Sequence, residues 1–158
     1  MDHLAVRGLP GIRYLELFVS CDPLLIGQFY SETFGCLCTS QEDGQRVAVQ
    51  LGASHFVFTK AELTEEQAAA GQGIHVCIYV AMFEQKYQQL KRADLIWTNP
   101  RFLHLDTCDT LEEAKASRQF RFKDIVDLET GSKLLELEHE TRASRHYQFM
   151  KHVSYNPM

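Results

Sequence analysis

One pattern occurs twice in this chain, and it limits the available folds more than any other feature. Residues 12 to 20, IRYLELFVS, alternate Leu15, Leu17 and Val19 with Tyr14, Glu16 and Phe18, as a strand with two unlike faces does. Asp22 and Pro23 supply an N-cap and a first-turn proline, Leu24, Leu25, Phe29 and Tyr30 recur at helical spacing, and Phe34-Gly35 ends the helix. Strands follow near Cys36 to Ser40, at Arg46 to Leu51 and at His55 to Thr59, with turns at 41–45 and 52–54. An acidic, alanine-rich and glycine-closed linker covers 61–73. The order then restarts. GIHVCIYV sets Val76, Ile78 and Val80 against His75, Cys77 and Tyr79, and Met82 to Ala93 forms an amphipathic helix. A loop or strand around Ile96 to Asp106, a polar stretch of helical composition from Thr107 to Ser117, a strand from Gln119 to Ile125, the turn DLETG and the strand KLLELEHE complete a second unit.

One curved four-stranded sheet cannot bury both faces, whereas two related sheets close around a shared cavity. The expectation is an α+β domain over residues 1–140, with βαβββ modules at about 12–60 and 74–140, and a C-terminal tail over 141–158. At 158 residues and 45% hydrophobic, the chain is large enough for a well-filled core. A formal charge of -5 argues against nucleic-acid partners. No apolar run reaches membrane-spanning length, and MDHLAVRG lacks a signal-peptide pattern, so a cytoplasmic protein without a membrane partner is expected. Five scattered cysteines fit reduced thiols better than a disulfide framework.

Charged residues on apolar strands mark the candidate sites. In KLLELEHE, Leu135 and Leu137 face one side and Glu136 and Glu138 the other. In QFRFKDI, Phe120 and Phe122 enter the core and leave Gln119, Arg121 and Lys123 opposite, either on a charge-protected solvent face or inside a cavity. In a cavity, Arg121 would fork to the carboxylate or phosphate of a small substrate. The tail interleaves Arg142, Arg145, His146, Lys151 and His152 with Tyr147, Phe149 and Tyr155, and is expected to cover a cavity mouth and lend Arg142 or Arg145 to an anionic ligand.

The βαβββ repeat, GIHVCIYV, the DLETG turn and the closing LELE strand together resemble the vicinal oxygen chelate superfamily, the glyoxalase, bleomycin-resistance and extradiol-dioxygenase fold, over about residues 12 to 139. The resemblance implies a glyoxalase-like curved sheet around a cavity, and ligand positions at Tyr14, His75, Val57 and Glu136. His75 and Glu136 would be metal ligands, Glu16 a third ligand or general base, and Tyr14 a hydrogen-bond donor beside it. Gln119, Arg121, Lys123, Arg145, Cys77 and Tyr79 would meet the substrate, a small oxygenated and anionic molecule. Such a donor set suits divalent iron, manganese, nickel or zinc without selecting among them. The implied activity is that of a metal-dependent lyase, isomerase or dioxygenase, with a homodimer as the implied assembly. The alternative is a metal-free, bleomycin-resistance-like protein that sequesters a small ligand in the same cavity.

Overall fold

The structure, a computed structural model, describes residues 12–70 and 73–148. Parts of the expected linker and tail, Lys151, His152 and Tyr155 among them, lie outside the described residues. The first module runs β1 (Tyr14–Val19), α1 (Pro23–Phe34), β2 (Cys38–Gln41), β3 (Arg46–Leu51) and β4 (Ser54–Lys60). Its sheet has the order β1-β4-β3-β2, with β1 parallel to β4 and the other pairs antiparallel. A parallel pair needs a crossover, which α1 begins. The helix starts where expected because the Asp22 carboxylate accepts the Leu24 N–H at 2.9 Å ahead of Pro23. It ends where Gly35 takes φ 72°, a left-handed conformation that suits glycine.

The linker contains a short helix, α2 (Glu65–Ala70), and the second module then runs β5 (His75–Val80), α3 (Phe83–Arg92), α4 (Leu111–Ser117), β6 (Gln119–Val126) and β7 (Lys133–Ala143). Its sheet has three strands, β5-β7-β6, with β5 parallel to β7. The expected repeat is therefore incomplete in its strands. Where a fourth strand would lie, only Ile96 bridges Phe122, Trp97 N–H donates to the Arg121 carbonyl at 2.9 Å, and a 3-10 turn begins at Pro100. Proline has no N–H for a ladder, and Asn99 instead caps the turn by accepting from Arg101 N–H.

One apolar core serves both modules. Tyr30 of α1 stacks on Phe58 of β4 with centroids 5.8 Å apart, and Phe34 of the same helix stacks on Phe122 of β6 at 5.7 Å. The apolar strand residues Val19, Ile78, Phe120, Phe122 and Leu137 are buried and Tyr14 and Phe18 are exposed, but burial does not alternate throughout: Gln119 and Arg121 of β6 are buried beside Phe120 and Phe122. Among the described residues no helix is long and apolar enough to cross a membrane.

Candidate functional site

The polar face of the second sheet is built by strand alternation. His75, Cys77 and Tyr79 of β5 lie opposite Glu138, Glu140 and Arg142 of β7, and Arg121 of β6 lies opposite Glu140. Such a face cannot be buried unless its charges are paired and hydrogen-bonded. Arg121 is only 4% exposed. Its guanidinium donates to Glu138 Oε1 at 3.0 Å, to Glu140 Oε2 at 2.6 Å and to Asp106 Oδ2 at 3.2 Å. The Phe102 ring lies 4.9 Å from the guanidinium carbon.

The cover over this face is the segment that replaces the missing strand. Asn99 donates to both oxygens of Glu138, at 3.0 and 3.1 Å, and Asp106 accepts from Gln119 as well as from Arg121. Glu140 also meets Arg142, and His75 Nε2 approaches it at 3.3 Å. Burial would raise the Glu140 carboxyl, but the Arg121 and Arg142 guanidinium groups outweigh it and hold the pKa below its ordinary value. Burial likewise opposes the charge of Arg121, and Glu140 and Asp106 more than compensate.

The other expected site residues are dispersed. Glu136 lies opposite Asp124 and is held by Lys133 at 2.6 Å and Lys123 at 3.5 Å; the hydrogen bond from Lys133 is the largest influence lowering its pKa. Lys123 also lies 5.3 Å from the Trp97 ring centre. Glu16 accepts from Thr59 Oγ1 at 2.7 Å and pairs with Arg46 at 3.2 Å, while Tyr14 is paired in register with His55 and exposed. Arg145 contributes its backbone carbonyl to Arg118 at 2.6 Å. Sequence reading passed over Glu140, Asn99 and the role of Asp106 as a partner of Arg121. The alternation that puts Glu138 beside Glu136 extends to Glu140; the contributions of Asn99 and Asp106 come from a segment without periodicity.

Cys77 and Tyr79 also line a second feature, a cleft of about 840 Å³ where β5 meets the end of α1 and the β3–β4 hairpin. Its walls are Phe34, Leu51, Phe56, Ile78, Val80 and Met82, with Gln50, Ser54 and Lys86 as polar points. Burial pushes the Cys36 thiol up to about 11, with Cys38 adding to the effect, and burial also raises Cys77. Both are neutral thiols at physiological pH and serve as apolar wall.

The fold defines a class. Solved structures that share it include a possible glyoxalase from Bacillus cereus, at 15% identity and TM-score 0.53 over 84% of this chain and 97% of the other, and the oxidase ChaP-H2, at 14% identity and TM-score 0.56 over 84% and 94%. The chain thus has the glyoxalase-like fold that its repeat resembled. No protein-family model and no curated protein matches the sequence.

A divalent metal, which the resemblance implies, does not fit the residues present. The carboxylates nearest His75 are engaged by Arg121, Arg142 and Asn99, and Glu136 is engaged by lysines. Among the described residues no three His, Cys, Asp or Glu side chains are grouped so as to hold a metal ion.

Proposed function

We propose that this chain binds a small, largely apolar molecule with an anionic end in the cleft between its two modules. The observation that supports this is the cleft itself. Its volume, about 840 Å³, is that of a ligand pocket, and its apolar walls carry a few convergent polar groups. Lys86 lines it and forms no ion pair among the described residues, which leaves its ammonium to an anionic group of the ligand. The raised thiols of Cys36 and Cys77 make the site one for binding rather than for thiolate chemistry.

The fluorescent apolar anion 1-anilino-8-naphthalenesulfonate tests the reading. It is expected to bind saturably at one site. Cys77→Trp, which fills the cleft from an exposed position, should abolish that binding. Lys86→Glu should weaken it by about tenfold, the equivalent of roughly 1.4 kcal/mol. Unchanged binding by both variants would place the dye elsewhere and remove the proposal.

A further inference from the structure

We infer that Arg121 is a resident cation: its guanidinium is held by Asp106, Glu138 and Glu140, with His75 beside Glu140, and removing it turns this cage into a divalent-metal site. The inference concerns the polar face of the second sheet and is independent of what fills the cleft.

The cage has the donors of a metal site. Asp106 Oδ2, Glu138 Oε1 and Glu140 Oε2 converge on two nitrogens of one guanidinium at 2.6 to 3.2 Å, and His75 Nε2 stands 3.3 Å from the same Glu140 oxygen. Three carboxylates and an imidazole are ligands that manganese, iron, nickel and zinc accept. A metal draws such donors to about 2.0–2.2 Å, however, whereas these oxygens are spread around a flat, forked cation with hydrogen-bond spacing. The difference in size accounts for donors that are close together yet form no metal-holding group.

Charge leads to the same assignment. Asp106, Glu138 and Glu140, whose side chains are 11%, 16% and 7% exposed, bring three negative charges together, and Arg121 and Arg142 balance two of them. A carboxylate can be buried this way only if it is paired, and Arg121 touches all three. The surrounding shell is built for this cation as well. Phe102 lies against the guanidinium, and Asn99 fixes both oxygens of Glu138. Without Arg121 the same face keeps its carboxylates and loses the group that pairs them, a state that a dication relieves and a monovalent ion relieves less.

Thermal unfolding with added MnCl2 or ZnCl2 tests the inference, with metal content measured on the dialysed protein. Wild type is expected to hold no stoichiometric metal and to melt at the same temperature with or without either ion. Arg121→Ala should melt lower and recover saturably, by about 5–10 °C at a hundredfold excess over the dissociation constant. Adding Asp106→Asn and Glu140→Gln should abolish the recovery. If Arg121→Ala is recovered only unfolded, Arg121→Ala combined with Glu138→Gln leaves the net charge of the cage as it is in wild type and keeps His75, Asp106 and Glu140 as donors; it should show the same recovery. Stoichiometric metal in wild type that is lost in His75→Ala, or no recovery in either folded variant, would overturn the assignment.

Discussion

His139 has no exposed surface and stacks on Phe122 with ring centres 4.2 Å apart. Its Nδ1 lies 2.6 Å from the Leu137 carbonyl oxygen and its Nε2 lies 2.7 Å from the Tyr30 hydroxyl. A carbonyl only accepts, so Nδ1 carries the hydrogen and Nε2 accepts from Tyr30; the neutral ring is satisfied on both sides. Burial, with a smaller contribution from His75, lowers the His139 pKa from 6.5 to about 3. A folded-state pKa below the unfolded one gives stability that is present above about pH 6.5 and is lost as pH falls toward 3. Between pH 7 and pH 4 the loss should be of order 3 kcal/mol in urea unfolding, and His139→Leu should flatten that limb of the curve. Tyr30→Phe leaves Nε2 unpaired and should cost about 1–3 kcal/mol at pH 7; a change below the error of the titration would contradict the assigned hydrogen bond. The sequence shows His139 on the leucine side of KLLELEHE, which places it toward the core. Its partner lies 109 residues away, and no local pattern carries that distance.

At the scale of elements, α1 reaches the first sheet because residue 27 is glycine. A β-carbon there would lie 2.9 Å from a methyl of Val47 on β3. Alanine would gain about 1 kcal/mol in helix propensity, but the overlap with a stiff β-branched side chain costs about 1–3 kcal/mol. Gly27→Ala should therefore lower the urea midpoint, and Val47→Ala in the same chain should return part of the loss relative to the sum of the single changes. Full additivity of the two would mean that the contact is not what sets the helix position. The boundaries of α1 were legible because Asp22, Pro23 and Gly35 act locally. The segment from Ile96 to Asp106 was not, since a strand there had to compete with Pro100 and with the long-range claims of Glu138 and Arg121 on Asn99 and Asp106. For Arg121, alternation gives the face, while its partners come from β7, as Glu138 and Glu140, and from the covering segment, as Asp106.

The whole molecule depends on one helix belonging to two sheets. Phe29 of α1 lies 6.1 Å from Phe122 of β6, and Phe122 bridges Ile96 beside Trp97, the chain's single tryptophan. Period and turn chemistry make the two modules visible in sequence, but periodicity cannot show that α1 seals both, because Phe29 and Phe34 look like residues facing their own sheet. A shared core predicts shared unfolding. Trp97 fluorescence, which reports the second module, and far-UV circular dichroism, which reports the whole chain, should trace coincident urea transitions. Phe29→Ala, made in the first module, should move the Trp97 transition as far as the circular dichroism transition, by about 3–5 kcal/mol, since a large buried ring is lost from a packed site. If the modules were energetically separate, the Trp97 midpoint would stay in place while the dichroism transition split into two. The cleft between them would then open without unfolding either sheet, and ligand affinity would not follow stability. With α1 as the common element, Phe29→Ala should instead weaken 1-anilino-8-naphthalenesulfonate binding at urea concentrations where wild type remains folded, because the β5 and β3–β4 walls hold their spacing only while both sheets rest on the same helix.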